Sequence, residues 1–162
     1  MPRKVTKSLR RDIAPDRKYE SVLVHKLINK TMLAGKKQTA EAIVYEAMDI
    51  AAKKLKHEDP LKMLEEALGN VKPNLEVKSR RIGGANYQVP YEIKGDRQIH
   101  KTLMWFIEAV RARRGGMGKS SAEAMAAEIV DAFNQTGNAV KKREDVHKMA
   151  EANRAFAHFA KF

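Results

Sequence analysis

Apolar residues return every three or four positions over much of the chain, which is the spacing of amphipathic helices. A first helix is predicted around Val24 and Leu27, with Leu33 on the same apolar stripe and with its end at Gly35. A second helix is predicted over residues 40–55. Each segment has one apolar face, so the pattern predicts helices that pack on one another.

Capping residues mark the starts of further helices. Asp59 and Asp96 can each accept hydrogen bonds from the free amide groups of a first helical turn. The helix after Asp96 is predicted to break at the two glycines of residues 115–116, and a capping box at Ser120 begins the next one. Residues 139–159 contain no helix breaker and are predicted to form a last, charged helix.

The period changes to two in the middle of the chain. Leu75 and Val77 alternate with charged residues, and apolar and polar residues alternate again over residues 87–93. Between these runs stand Gly83 and Gly84, a pair typical of the tight turn of a β-hairpin. The proline inside the second run excludes a central strand, because it has no N–H group to donate. The sequence therefore predicts a two-stranded hairpin arm that protrudes from a helical body.

Length and composition favour a single domain. The chain has 162 residues, and 43% of them are apolar, enough for one modest core. The predicted domain spans residues 1–162, with a flexible basic arm (1–18), a helical body (19–71 and 95–160) and the hairpin arm (72–94). The predicted fold class is mainly α, a bundle of six helices with a protruding two-stranded β-hairpin and a basic N-terminal arm.

The net charge of +12 is unevenly distributed along the chain. Residues 1–18 carry +5 and residues 72–119 carry +7, whereas the two remaining parts are neutral overall. Positive charge concentrated in two segments is typical of a surface that binds a polyanion, most simply a nucleic acid. The alternative, two solvated basic stretches without a partner, leaves the self-repulsion of this excess unrelieved.

Several functional classes are disfavoured. The chain has no cysteine, and its five histidines show no helical pair spacing, which argues against thiol chemistry and a zinc site. The stretch before Ser120 resembles the end of a phosphate-binding loop, but Arg113 stands where that motif needs its first glycine. We therefore expect no enzyme activity, no metal, no cofactor and no small-molecule substrate. The lack of a long apolar segment and of a signal peptide predicts no membrane association and a cytoplasmic location.

Three groups of basic residues could hold RNA. The hairpin carries Lys78, Arg80 and Arg81 beside its glycine turn, where an RNA can approach the backbone closely. Residues 35–37 join the first two helices, so that two ammonium groups and helix amides could share one phosphate. Arginines at the end of the fourth helix can bind phosphates bidentately. Taken singly, each group also has a simpler interpretation, as a charged strand edge, a polar turn or a complement to the helix dipole.

Three stretches resemble a known family. The run from Lys78 to Pro90 is similar to the hairpin signature of bacterial small-subunit ribosomal protein seven. Residues 19–47 resemble the other signature of that family, and the glycine-rich residues 113–119 also match. The similarity covers essentially the whole chain, although residues 151–162 carry no signature that can be matched residue by residue.

The resemblance implies a structural role in the ribosome. The family is a primary binder of the 3′ major domain of 16S rRNA and nucleates assembly of the small-subunit head, near the exit-site tRNA and the mRNA path. It contacts small-subunit ribosomal proteins nine and eleven, and the hairpin tip and final helix would lie toward the tRNA. The residues predicted to bind RNA are Arg3, Lys4, Lys7, Arg10, Arg11, Lys36, Lys37, Lys78, Arg80, Arg81, Gly83, Gly84, Arg97, Arg111, Arg113, Arg114, Lys119, Lys142 and Arg143.

Two other functions stay open at the level of the sequence. An architectural DNA-binding protein can also carry a basic β-ribbon arm, although such proteins commonly act as symmetric dimers. An RNA-modifying enzyme is a weaker alternative, because the sequence offers no candidate base or nucleophile. Equal affinity for duplex DNA and for structured rRNA would favour the DNA-binding function.

Overall fold

The structure of the protein, a computed structural model, describes residues 12–117 and 120–161. Within this part it contains six α-helices, one two-stranded sheet and a C-terminal 3-10 helix. The elements are α1 (Val22–Thr31), α2 (Lys37–Leu55), α3 (Pro60–Val71), β1 (Leu75–Ile82), β2 (Ala85–Glu92), α4 (Gly95–Met117), α5 (Ser121–Phe133), α6 (Gly137–Ala152) and the 3-10 helix (Arg154–Lys161). The mainly α fold with a β-hairpin is therefore confirmed. None of the described helices is long and apolar enough to cross a lipid bilayer.

Helix α5 lies at the centre of the helical body, where it packs against α2, α3, α4 and α6. Its many alanines allow these neighbours to approach closely. Each of the first five helices contributes almost fully buried side chains to one hydrophobic core, among them Leu27, Val44, Leu64, Phe106 and Ile129. Burial of each such side chain contributes about 1.5–3 kcal/mol. The core thereby fixes the relative positions of the helix ends that carry basic residues.

Helix α1 ends earlier than its apolar pattern predicts. Its last residue is Thr31, and the chain leaves the helix at Met32, well before Gly35. Leu33, which the pattern places on the buried stripe, is 63% exposed. This prediction is wrong because the spacing of apolar residues does not show where the backbone leaves a helix. Residues 32–36 instead form the loop between α1 and α2.

Helix α4 continues through the two glycines at which the sequence predicts a break, and it ends at Met117. A glycine weakens a helix interior by only about 1 kcal/mol, so neighbouring contacts decide whether the helix continues. Here the guanidinium group of Arg113 donates hydrogen bonds to Glu128 and Asp131 of α5. These contacts hold the last turns of α4 against the body, and the predicted break is wrong.

The last predicted helix is divided into two elements. Helix α6 ends at Ala152 and residues 154–161 form the 3-10 helix, so the prediction of one continuous helix is wrong. A 3-10 helix repeats every three residues, which brings Phe156 and Phe159 to the same side. Both rings pack against Tyr87 of β2, with ring centres 5.1 and 5.6 Å away. A continued α-helix would turn the two phenylalanines about 60° apart and weaken this contact.

Strands β1 and β2 form the predicted hairpin in an antiparallel register that pairs Arg81 with Asn86. Gly83 and Gly84 make its two-residue turn with φ of +56° and +90°, the left-handed values that such a turn requires at both positions. The base of the hairpin does not stand free, because α6 packs against β1 and the 3-10 helix packs against β2. The protruding part of the arm is therefore its tip, where residues 83–86 are exposed.

Candidate nucleic-acid interface

Three of the predicted RNA-binding cations meet at one groove. The groove has a volume of about 380 Å³ and lies between the α1–α2 loop, the first turns of α2, the end of α4 and the start of α5. Lys36, Arg111 and Arg114 line it, and all three are exposed. We call this site the junction groove. Cations held at fixed positions around a concave surface can neutralise the phosphates of a folded RNA.

Residues 35–37 place two lysines at the start of α2. The helix begins without a side-chain cap, so amide groups of its first turn remain open to an anion. Lys36 lines the junction groove. The Nζ of Lys37 lies 3.0 Å from the Nε2 of His25, which turns this lysine toward α1. The predicted phosphate site thus has one lysine in the groove and another directed to the neighbouring helix.

Neighbouring arginines at the end of α4 make different contacts. Arg113 donates to Glu128 through Nε and Nη2, at 3.1 and 2.8 Å, and also to Asp131. Burial alone lowers the pKa of Arg113, but these hydrogen bonds raise it above its ordinary value. Arg111 and Arg114 are exposed and form no ion pair within residues 12–117 and 120–161. The arginines on either side of Arg113 therefore remain free to contact a ligand, whereas Arg113 itself holds α4 to α5.

The hairpin cations are divided between solvent and the rest of the protein. Arg81, near the turn, is exposed and has no acidic partner in the described part of the chain. Arg80 is half-buried on the opposite face, and its Nη1 donates a hydrogen bond of 2.8 Å to the carbonyl oxygen of Phe159. Lys78 forms an ion pair of 2.9 Å with Glu76. Cations do lie on both faces of the ribbon, and Arg81 is directed to solvent.

Glu76 forms ion pairs with several cations at the base of the hairpin. It is 3% exposed, and its carboxylate accepts hydrogen bonds from Nε and Nη2 of Arg97 at 2.8 and 2.9 Å. The Nζ of Lys101 on α4 lies 3.7 Å from the Oε2 of Glu76. Burial alone raises the pKa of Glu76, but the hydrogen bonds from Lys78 and Arg97 lower it below its ordinary value. The cluster attaches the hairpin to α4 and neutralises part of the charge that the sequence assigns to RNA binding.

The two predicted cations of α6 also differ from each other. Arg143 donates a hydrogen bond to the carbonyl oxygen of Asn70 near the end of α3, and it forms an ion pair of 3.5 Å with Glu144. Lys142 is exposed and lines a second groove, between the hairpin and Trp105 of α4. Arg143 therefore ties α6 to α3, whereas Lys142 can contact a ligand at the surface.

Sequence reasoning missed Lys30, an exposed cation beside the contact between α1 and α4. It lies in the last turn of α1 and lines a third groove together with His100 and with Lys26 and Asp96, which form an ion pair of 3.2 Å. Burial and the nearby charges of Lys30, Lys101 and Arg97 lower the pKa of His100. The part of the sequence that contains α1 is neutral overall, so its net charge gives no signal. The packing of α1 against α4 places Lys30 in this groove beside His100.

Asp16 anchors the segment that leads to the basic arm. It is 5% exposed, and its carboxylate accepts hydrogen bonds of 2.8–3.0 Å from the backbone N–H groups of Lys18, Tyr19 and Ser21. The hydroxyl group of Tyr45 on α2 donates a further bond of 3.1 Å. The last residues of the predicted flexible arm are thereby attached to the helical body.

Replacing Asp16 by asparagine is expected to lower the free energy of unfolding by about 2 kcal/mol at pH 7, because the hydrogen bonds then end on a neutral group. Burial alone raises the pKa of Asp16, but the hydrogen bonds lower it below its ordinary value of 3.8. Such a carboxylate stabilises the fold above about pH 3.8, and the contribution is lost as the pH falls through the folded pKa.

Urea unfolding of the parent and the Asp16→Asn variant should therefore differ at pH 7 and converge in strong acid. Asp12→Asn, which removes an exposed carboxylate from the same segment, should leave stability unchanged at both values of pH. An Asp16→Asn variant as stable as the parent at pH 7 would contradict the anchoring role.

Part of the predicted interface lies outside the described residues, namely Arg3, Lys4, Lys7, Arg10, Arg11 and Lys119. Gly83 and Gly84 are exposed at the hairpin tip, and no atom lies within 4 Å of the place where a Cβ would stand, so a ligand can reach the backbone. Among residues 12–117 and 120–161, no group of three histidine, aspartate or glutamate side chains could hold a metal ion.

Comparison with known proteins identifies the family. The family model described as ribosomal protein S7p/S5e matches residues 2–154. The chain belongs to this ribosomal protein family. The small ribosomal subunit protein uS7 of Dictyoglomus turgidum is 56% identical over 149 residues, which are 92% of this chain and 93% of the relative. The protein of the same name from Chloroflexus aggregans is 54% identical over 152 residues, 94% of each chain.

Membership of the S7p/S5e family confirms the resemblance seen in the sequence. The chain is a structural ribosomal protein that acts in RNA binding and translation, and it is not an enzyme. Its place is the cytoplasmic ribosome, and its partners include rRNA and other ribosomal proteins. The exposed cations of the junction groove therefore belong to a protein of an RNA-binding family.

Proposed function

We propose that the protein is a primary binder of the 3′ major domain of 16S rRNA in the small ribosomal subunit and that it nucleates assembly of the subunit head. The observation that carries this proposal is the junction groove, where Lys36, Arg111 and Arg114 meet. Lys36 is far from Arg111 and Arg114 in the sequence, so the fold is needed to bring the three cations together. A folded RNA junction is a ligand that can contact all three at once.

The proposed mechanism is physical and involves no catalysis. The helical body holds cations at fixed positions, and each phosphate that they neutralise releases counterions, which favours binding. Because the positions are fixed, the bound RNA helices are held in a defined relative orientation. Later proteins then meet a preformed surface. The N-terminal basic arm and Lys119 are proposed to extend the same contact surface, and residues 1–162 to act as one domain.

The hairpin tip and the C-terminal segment are proposed to lie toward the exit-site tRNA and the mRNA path. Arg81 and the exposed glycine turn offer a cation and an open backbone there. The packing of Tyr87 on Phe156 and Phe159 supports this proposal, because it ties the C-terminal segment to the hairpin just behind the tip. Small-subunit ribosomal proteins nine and eleven are the proposed protein neighbours.

The proposal is tested by binding the full chain to a transcript of the 3′ major domain. A transcript of equal length from another domain of the same rRNA, and duplex DNA, serve as controls of similar charge. We expect a preference on the order of a hundredfold for the 3′ major domain. We also expect affinity to fall with salt at a log–log slope of about 0.7–0.9 per neutralised phosphate. Equal affinity for all three ligands would overturn the proposal and favour an architectural DNA-binding function.

A further inference from the structure

The junction groove has an apolar floor that phosphate binding does not explain. Ile107, Val110 and Met125 contribute to its walls, and each of these residues is at most 5% exposed. Leu33 stands at its edge with 63% of its surface exposed. Cations can bind phosphates on an entirely polar surface, so apolar walls between them point to a ligand with an apolar part as well as negative charge.

We propose that the junction groove takes one unstacked nucleobase of the bound rRNA, while Lys36, Arg111 and Arg114 hold the phosphates on either side of it. The inference rests on the proposed function and names the part of the RNA that this site recognises. Sequence-specific recognition of RNA targets loops and bulges, whose unstacked bases stack on flat side chains, among them the guanidinium groups of arginine. Two exposed arginines and an apolar floor provide such surroundings.

The size and polarity of the groove favour a nucleotide over a peptide. A volume of about 380 Å³ lies near the lower end of the range for small-molecule pockets, which suits one base. An amphipathic helix with acidic residues needs a longer groove, because its anchors are spread over several turns. Thr39 and Ser121 also line the groove, and their hydroxyl groups have no protein hydrogen-bond partner among the described residues. Such hydroxyl groups can bond to the edge of a base.

A first experiment separates a base contact from a phosphate contact. Leu33→Ala should lower the affinity for the 3′ major domain transcript by about tenfold without changing the salt slope, because it removes apolar contact but no charge. Arg111→Ala should lower the slope by about 0.7–0.9. Val22→Ala removes another exposed apolar side chain, at the other end of α1, and should bind as the parent does.

The possible results distinguish this inference from the proposed function. If Leu33→Ala binds like Val22→Ala while Arg111→Ala still lowers the slope, the base site is wrong and RNA binding at the groove stands. If neither Leu33→Ala nor Arg111→Ala changes binding, the groove is not an RNA site, and the proposed function loses its main support. A tenfold loss with an unchanged slope for Leu33→Ala supports the base site.

A second experiment locates the base. Because the chain has no cysteine, Thr39→Cys offers a single attachment point for a benzophenone crosslinker at the groove. We expect crosslinking to one nucleotide of the transcript, seen as one strong stop in primer extension. Lys54→Cys, at the far end of α2, should give no such stop. Stops spread over many nucleotides, or crosslinks to a protein instead of RNA in reconstituted small subunits, would overturn the proposal.

Discussion

Replacing both Arg111 and Arg114 by alanine is expected to lower the affinity for the 3′ major domain of the rRNA by about 30-fold, at a loss of about 1 kcal/mol for each charged contact. Both side chains are exposed at the junction groove and have no ion-pair partner in the described part of the chain. Their loss should therefore remove the proposed contacts with RNA without breaking an ion pair within the described part of the chain. The salt slope should fall by about 1.4–1.8, as for two phosphates.

The matched control removes the same charge from the opposite end of α2. Lys53 and Lys54 are exposed in the last turn of that helix, about 25 Å along its axis from Lys36. Alanine at both positions should leave the salt slope unchanged. Filter binding over a salt series compares the three proteins, and circular dichroism confirms that their helix content is equal. Equal slopes in all three would contradict an RNA contact at the groove.

Replacing Arg113 by methionine is expected to lower the free energy of unfolding by about 3–5 kcal/mol, the range for a buried ion pair that loses one partner. The carboxylate of Glu128 is completely buried, and one of its oxygens accepts both hydrogen bonds from Arg113. The other oxygen accepts a hydrogen bond of 3.0 Å from the backbone N–H of Ala139 at the start of α6. Without Arg113, a charged group remains in the core where α4, α5 and α6 meet.

Two comparisons isolate the ion pair from other effects. Arg114→Met changes the adjacent, exposed residue and should alter stability by no more than about 0.5 kcal/mol. The double variant Arg113→Met, Glu128→Met should recover much of the loss, because no unpaired charge is then buried. Urea unfolding measures all four proteins. Arg113→Met and Arg114→Met of equal stability would contradict a structural role for Arg113.

Local signals predict much of the fold. The Asp59 side chain accepts hydrogen bonds at the start of α3, and the capping box formed by Ser120 and Glu123 begins α5. The glycine pair makes the expected hairpin turn. These features depend on neighbouring residues, so the sequence contains all the information that they need.

Errors arise where distant contacts decide the local structure. Helix α4 continues through its glycines because α5 binds Arg113, and the chain after α6 changes helix type where Phe156 and Phe159 meet Tyr87. Neither contact can be found from periodicity, because each joins residues that are far apart in the chain. Hydrophobic spacing therefore predicts that a helix exists more reliably than where it ends.

The sequence also predicts only part of the candidate nucleic-acid interface. Basic residue type and position in the sequence indicate Lys36, Arg111 and Arg114 as candidates, and the structure places all three at the junction groove. Their contact with RNA stays a prediction. Counting charges cannot show which cations are paired inside the protein, as Arg113 is with Glu128. It also overlooks Lys30, because the acidic residues of residues 19–71 balance it in the sum. Three-dimensional proximity, rather than net charge, decides which cations are paired within the protein and which remain exposed for a ligand.

Lysine acetylation of the full chain, free and bound to the 3′ major domain transcript, tests most directly whether one face of the protein holds the RNA. Mass spectrometry gives the reactivity of each lysine. Lys36 should become strongly protected in the complex, while Lys53, Lys54 and Lys62, which are exposed away from the junction groove, should remain reactive. Unchanged reactivity of Lys36 together with protection of Lys53 and Lys54 would show that the RNA binds another face.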